Sequence, residues 1–322
     1  MAEHDTQERA PDARRERDEL LERLALSWFA EQRSRRRWGL FYRFLGVLVV
    51  LAVLSVYVPL FIEIPEVHVG RHTALVDVNG MIMDGMDASA ERIVGGLQAA
   101  FEDDGTAAVV LRINSPGGSA VQSGYVYDEI LRLREKYPKV PVYAVITDMG
   151  ASGAYLMASA ANAIYADRAS LVGSIGVIMP GFGFVGAMEK LGVERRVLTA
   201  GAHKALLDPF SPIKEDERAY AQELLDTIHK QFIASVKAGR GDKLKDDPSL
   251  FSGLIWSGEE AVKLGLVDGL GSAESVAREV VGEKTLRDFS EHKGLLDQVM
   301  EEFGLVMANV LWRSAGANLM LQ

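Results

Sequence analysis

The chain has 322 residues, 48% hydrophobic and 25% charged, which is the composition of a globular protein with a sizeable core. A formal net charge of −10 leaves no basic surplus to neutralise a phosphate backbone, so nucleic acid is not expected as a partner. The absence of cysteine excludes disulfides, thiolate metal sites and a cysteine nucleophile, and is compatible with an oxidising compartment.

Residues 1–43 are crowded with charge of both signs. Leu20, Leu21, Leu24 and Trp28 recur there at helical spacing, but the segment reads as a solvated tail. Next comes FLGVLVVLAVLSVYVPLFI at 44–62, 19 residues without a charge. A helix of that length crosses a hydrocarbon core of roughly 30 Å. A buried core helix would carry a polar face, and this run has only Ser55 and Tyr57. The long charged leader and the lack of a small-residue cleavage site speak against a cleaved signal peptide. Arg33, Arg35, Arg36, Arg37 and Arg43 precede the run, and Glu63 and Glu66 follow it. By the positive-inside rule the N-terminus is cytoplasmic and everything after Ile62 lies on the other side. Three parts are therefore expected: a cytoplasmic tail (1–43), a retained transmembrane anchor (44–62) and an extracytoplasmic domain (63–322).

Beyond the anchor the pattern is α/β. Strands are predicted at 74–78, 107–113, 142–146, 164–166, 175–179 and 196–198, from short apolar runs. Helices are predicted at 88–101, 121–137, 155–161 and 214–237, the last with Tyr220, Leu224, Ile228 and Phe232 along one stripe. The alternation calls for a largely parallel sheet covered on its faces. After Ser290, Leu295, Leu296, Val299, Phe303, Val306 and Val310 can share one helical face, expected to pack against the domain rather than to make a second membrane contact.

Several residues have the right surroundings for chemistry. Ser152 follows a predicted strand and opens a predicted helix, where the positive end of the helix dipole favours a developing alkoxide. Gly150, Ala151, Gly153 and Ala154 permit a tight turn around it. The plain alternative is an N-cap serine. Asn114 to Gly118 ends another buried strand, and its N–H groups either form an oxyanion hole or merely turn the chain. Lys204 sits in AGAHKA at 200–205; small and apolar neighbours would desolvate it, lower its pKa and make it a general base. His203 beside it, with Asp208, offers a competing Ser-His-Asp arrangement, and spacing does not choose between the two. The G-x-S-x-G elbow of α/β-hydrolases is matched only in part, because Ala154 stands at its final glycine. Of the histidines, only His68 and His72 are four apart, and they flank Gly70 outside any helical pattern, so neither a metal site nor a cofactor is expected.

Five segments in order resemble the signal peptide peptidase A family in its short, single-anchor bacterial form. They are INSPGG (113–118), MGASGAY (149–155), VGSIGVI (172–178), AGAHK (200–204) and GLVDGLG (265–271). The resemblance covers about 74–277 and departs from the family pattern at Ala154. It implies a ClpP/crotonase-like fold and a serine-lysine dyad. Ser152 would be the nucleophile, Lys204 the base and Ser174 the serine that holds the lysine. Backbone amides near Gly117 and Gly118 would form the oxyanion hole. The implied activity is cleavage of residual signal peptides in or at the cytoplasmic membrane, with hydrophobic peptides as substrates, membrane lipid as surroundings and a homo-oligomeric ring or dome as the assembly. The competing functions are a non-catalytic membrane scaffold of the same fold and a crotonase-type acyl-transfer enzyme.

Overall fold

A computed structural model of the chain describes residues 38, 41–53, 55 and 70–291. The chain divides into two compact units, Met1–Val67 and His68–Gln322. In the first, residues 41–53 are helical and exposed, as are Trp38 and Ser55. The 44–62 run thus lies partly outside the described residues, and among those described no helix is long and apolar enough to cross a membrane. The 1–37 tail and the apolar stripe after Leu295 also lie outside the described residues.

The second unit is built on one sheet. Its strands are β1 (His72–Asn79), β2 (Thr106–Ser115), β3 (Val142–Ala151), β4 (Ala163–Ala166), β5 (Leu171–Gly173), β6 (Ile255–Ser257), β7 (Gly269–Leu270) and β8 (Leu286–Asp288). The main path runs β6-β5-β3-β2-β1-β8, with β4 on β3 and β7 on β4. All pairings are parallel except β5 with β6. The helices between the strands are α1 (Ala90–Glu102), α2 (Ala120–Lys136), α3 (Gly153–Ser159), α4 (Val185–Leu191), α5 (Glu215–Arg240) and α6 (Gly258–Leu264).

The apolar runs form strands because both faces of the sheet are covered, so nearly every position has an apolar neighbour. Alternation then sorts them. Ala74, Val76, Val78, Val109, Leu111, Ile113, Ala144 and Ile146 face one core with residues of α1, α2, α3 and α5. Leu75, Val110 and Val145 face a smaller second core with Ala273 and Val276. The same second face carries the cross-strand pair Asp77 and Arg112, joined by two hydrogen bonds of 2.8 and 2.7 Å.

β3 is longer than its predicted apolar run and serves two neighbours on one edge. Tyr143 to Ile146 pair with β4, and Met149 to Ala151 pair with β5. Beneath this fork lies a polar knot. Buried Arg240 donates to the Gly265 carbonyl and to Asp268 at 2.7 Å, and Lys243 reaches the same carboxylate at 2.7 Å. Asp268 also accepts the Ile164 amide at 2.7 Å. Burial pushes its pKa up, but these hydrogen bonds outweigh that and hold it below the ordinary carboxylate value.

Two predicted strands are absent. Residues 175–179 leave the sheet after β5, with Ile178 84% exposed, and 196–198 form no ladder, with Leu198 fully exposed. Both were expected as strands from short apolar stretches, and such stretches do not by themselves distinguish strand from exposed chain. Phe232 of the predicted α5 stripe is buried, whereas Tyr220 and Leu224 are exposed.

Candidate active site

The site forms where β2 and β3 end side by side, with Ser115 opposite Gly150 in register. In a parallel sheet the crevice outside the carboxyl ends of the strands is the natural place for a ligand. From β2 the chain turns through Pro116-Gly117-Gly118, and from β3 through Ala151-Ser152-Gly153. The two turns pack closely. Gly117 has φ +93°, and a Cβ there would lie 2.7 Å from the Ala151 carbonyl and 2.8 Å from both Gly153 N and Ser152 Cβ. Only glycine meets both conditions.

Ser152 adopts φ 54°, ψ −124°, a conformation a side chain rarely takes, at a cost of about 1–3 kcal/mol. The surroundings fix it. Its N–H donates to the Gly173 carbonyl at 2.8 Å, and its own carbonyl accepts the Leu156 N–H at 3.0 Å. Although it opens α3, its side chain makes no capping hydrogen bond. The N-cap explanation therefore fails: the hydroxyl is held in a strained turn and left uncommitted. Ser174 also has positive φ (52°), and its N–H donates to the Leu254 carbonyl at 2.7 Å.

The amides around Ser152 are not equivalent. The Gly117 N–H donates to Ser115 Oγ at 3.1 Å. Gly118 lies at an isolated parallel bridge with Ile82, carried by the Gly117 carbonyl and the Ser119 N–H on either side of it. The Gly118 N–H is outside that bridge. The Gly153 N–H is first in α3 and has no intrahelical acceptor. Gly118 and Gly153 thus offer the donors that flank the serine, while Gly117 supplies the turn. The sequence suggests Gly153 only as a small residue permitting the turn, not as an amide donor; its position immediately after a candidate nucleophile at a helix start was the available signal.

Ser152, Ser174, Gly117, Gly118 and Gly153 all line one cavity of about 560 Å³. Ala120, Gly124, Tyr127 and Asp128 of α2 form one wall, and Ile228, Gln231, Phe232 and Ser235 of α5 another. Each set lies along one helical stripe. Tyr127 is buried and donates its hydroxyl to the Ser235 carbonyl at 3.0 Å; desolvation raises its pKa, so it remains a neutral donor. His229 places Nε2 3.1 Å from the Ile175 carbonyl, next to Ser174. A carbonyl only accepts, so that nitrogen carries the proton. His229 is a second residue that sequence reading passed over, though it follows Ile228 on the cavity stripe.

Lys204 does not line this cavity. It is exposed, in a turn where its N–H donates to the Gly201 carbonyl at 3.2 Å, and Ala200, Gly201, Ala202 and His203 are exposed with it. The desolvated lysine expected from its small neighbours is thus not found within one chain, because small residues next in sequence do not exclude water unless something packs over them. The histidine alternative fares no better. His203 is exposed, and Asp208 is occupied by Arg195 at 3.0 and 3.2 Å and by the Ser211 hydroxyl at 2.9 Å. The Arg195 bonds hold the Asp208 pKa below its usual value. Among the described residues no cluster of His, Cys, Asp or Glu could hold a metal ion.

Residues 134–287 match the model of peptidase family S49. A Synechocystis protein named "Putative protease slr0021" is 32% identical over 204 residues, covering 63% of this chain and 71% of that protein. The chain belongs to peptidase family S49. Its mixed α/β sheet fits the ClpP-like fold expected of that family. An Enterococcus faecium protein named "Putative signal peptide peptidase SppA" is 30% identical over 221 residues, 66% of this chain and 64% of the relative. A Brucella abortus protein named "Na(+)/H(+) antiporter NhaA" is 42% identical over 242 residues, 73% of this chain. The chain spans about a third of the length of the two Brucella relatives it matches, 33% of each.

Proposed function

We propose that the chain is a membrane-anchored serine endopeptidase that uses Ser152 as nucleophile and Lys204 as general base. One observation carries the reading: Ser152 is locked in a strained turn with an uncapped hydroxyl, at the head of a peptide-sized cavity and beside two amides suited to an oxyanion. Neutral Lys204 accepts the Ser152 proton as Oγ attacks a peptide carbonyl. The Gly118 and Gly153 amides hold the oxyanion. The protonated lysine then gives its proton to the leaving amine, and water releases the acyl group. Ser174, on the same cavity, orients the amine.

The exposed Lys204 is accommodated if a second copy of the chain delivers it. Residues 177–213 carry an unusual exposed apolar load, including Ile178, Phe182, Leu191 and Leu198. An assembly of copies would cover these residues, desolvate Lys204 and bring it to a neighbour's Ser152, in line with the homo-oligomer implied by the family resemblance. Apolar cavity walls suit hydrophobic peptides, and remnants of signal peptides at the cytoplasmic membrane are the proposed substrate. The proposed anchor is 44–62, with the peptidase domain extracytoplasmic. Trp38, Phe41 and Tyr42 cluster with centroids 5.7–5.9 Å apart just before that run, the aromatic content expected at a membrane interface.

Co-expression of Ser152→Ala and Lys204→Ala chains tests the reading. Each variant alone should be inactive. Mixed assemblies should regain about a quarter of the wild-type sites, where an intact serine meets a neighbour's intact lysine in a cyclic arrangement. Co-assembly without recovered hydrolysis would place serine and lysine in the same chain, and activity in either variant alone would remove it from the dyad.

A further inference from the structure

The cavity that holds Ser152 is lined by uncharged residues with one exception, Asp128. Met81, Leu156, Val177, Ile178, Ile228 and Phe232 give it an apolar character. Asp128 is exposed toward solvent. The cations nearest to it in sequence are engaged elsewhere. Arg132, one turn further along α2, forks onto Glu129 at 2.7 and 2.6 Å. Arg134 donates to the Ala160 carbonyl, and Lys136 lies over the Tyr137 ring at 4.8 Å. The neighbouring Tyr127 hydroxyl is committed to Ser235. Among the described residues Asp128 has no ion-pair partner.

Its distance from the chemistry follows from the helix. Ala120, Gly124 and Asp128 lie on one stripe of α2, and Ala120 is two residues beyond Gly118. Eight residues of helix advance about 12 Å. An extended peptide advances about 3.3 Å per residue, so Asp128 lies about three to four substrate residues from the scissile bond. Given the peptidase reading, on which the position of that bond rests, we infer that Asp128 is a specificity-determining residue: it selects a basic side chain at that distance in a peptide that is otherwise apolar. The pair is partly solvated, so the selection is modest, about two- to fivefold.

The test uses the full-length chain carrying Ser152→Ala, which reports binding without turnover. A fluorescein-labelled peptide of leucine and alanine would carry one lysine, moved position by position, with norleucine in the same places as the neutral control. Fluorescence anisotropy should show lysine favoured about two- to fivefold over norleucine at one position, three to four residues from the bond that the wild type cuts. The ratio should fall to about one in Ser152→Ala/Asp128→Asn, and in Ser152→Ala/Asp128→Lys a glutamate in the same place should take over. Equal binding of lysine and norleucine at every position, a preference that survives Asp128→Asn, or no binding of any peptide would overturn the inference. If the lysine preference depends on Asp128 but the wild type cuts none of the peptides, the peptidase reading fails and the selective cavity stands.

Discussion

Two parts of the second unit bring opposite qualities to the proposed dyad. The turns after β2 and β3 are fixed from every side. Glycine is required at Gly117, Ser152 is held by backbone bonds at both ends, and α3 beneath it is buried along most of its length. The 177–213 segment has no buried residue in α4 and holds itself together. Phe184 stacks on Phe210 at 5.3 Å, Arg195 lies over the Phe210 ring at 5.2 Å, and the Arg195–Asp208 pair closes the segment. The first region has enough packing to maintain backbone strain at the proposed nucleophile. The second carries Lys204 but supplies none of the burial a neutral lysine needs. A strained serine can be completed within one chain; a desolvated lysine here needs a surface from elsewhere.

The sharpest way to break this comparison is at the nucleophile. Ser152→Ala should reduce peptide hydrolysis by about three orders of magnitude or more while the far-UV spectrum is unchanged. A fluorophosphonate probe should label the wild type and not the variant. Turnover near wild type would return Ser152 to the role of a turn residue. The next effect separates two neighbours on the 177–213 segment. Lys204→Ala should lose about as much activity as Ser152→Ala, since residues acting as a unit are not additive, whereas His203→Ala should stay within a few-fold of wild type. A dead histidine variant beside an active lysine variant would reverse the assignment.

Two paired carboxylates differ in a similar sense, Asp268 tied to β4 and buried Arg240, Asp208 to the exposed 177–213 segment. Asp268→Asn leaves buried Arg240 without its charge partner and should destabilise the domain by about 3 kcal/mol. Because the folded pKa of Asp268 is depressed, its contribution is present above the unfolded carboxylate value, about 4, and is lost as pH falls through the lower folded value. The wild type should therefore lose more stability than Asp268→Asn on acidification below about pH 4, as read by urea denaturation. Asp208→Asn removes the closure of a segment outside the main core. It should leave the global Tm within about 1 °C but speed amide exchange across 177–213. A large global loss from Asp208→Asn would mean the segment is as much part of the folded core as the sheet.

The sheet's centre was legible in the sequence because β1, β2 and β3 are buried on both faces and read as continuous apolar runs. The three-residue strands β5, β6 and β8 were not, as three residues carry no period; their pairing is set by neighbours distant in sequence. Ser152, Gly117 and Gly118 were legible from the strand ends they follow, whereas Ser174 came only from the family resemblance; all four line the cavity. Lys204 was not, because burial is a property of what packs over a segment, and 200–204 shows only what is adjacent in the chain. The distinction between the bonded Gly117 amide and the unbonded Gly118 amide depends on Ser115 Oγ and the Ile82 bridge, which no spacing rule contains.

The smallest expected effect is the most specific to the fixed region. If the Ser152 backbone is strained for the sake of its side chain, removing that side chain should stabilise the fold. Glycine adopts φ 54°, ψ −124° without the Cβ penalty, so Ser152→Gly recovers about 1–3 kcal/mol of strain. Against this, glycine gains unfolded-state freedom worth roughly 0.5–1 kcal/mol. The hydroxyl makes no cap bond, so no hydrogen bond is lost at the start of α3. The net is a gain of about 1 kcal/mol, which in a domain of this size raises Tm by about 2–4 °C. Ser152→Ala retains the Cβ and should show no such rise. Measured side by side by calorimetry, an inactive and more stable glycine variant next to an inactive and unshifted alanine variant would show that the turn is kept at a cost for its chemistry. Equal melting temperatures for the two would mean the surrounding hydrogen bonds, and not the serine, set the energy of this turn.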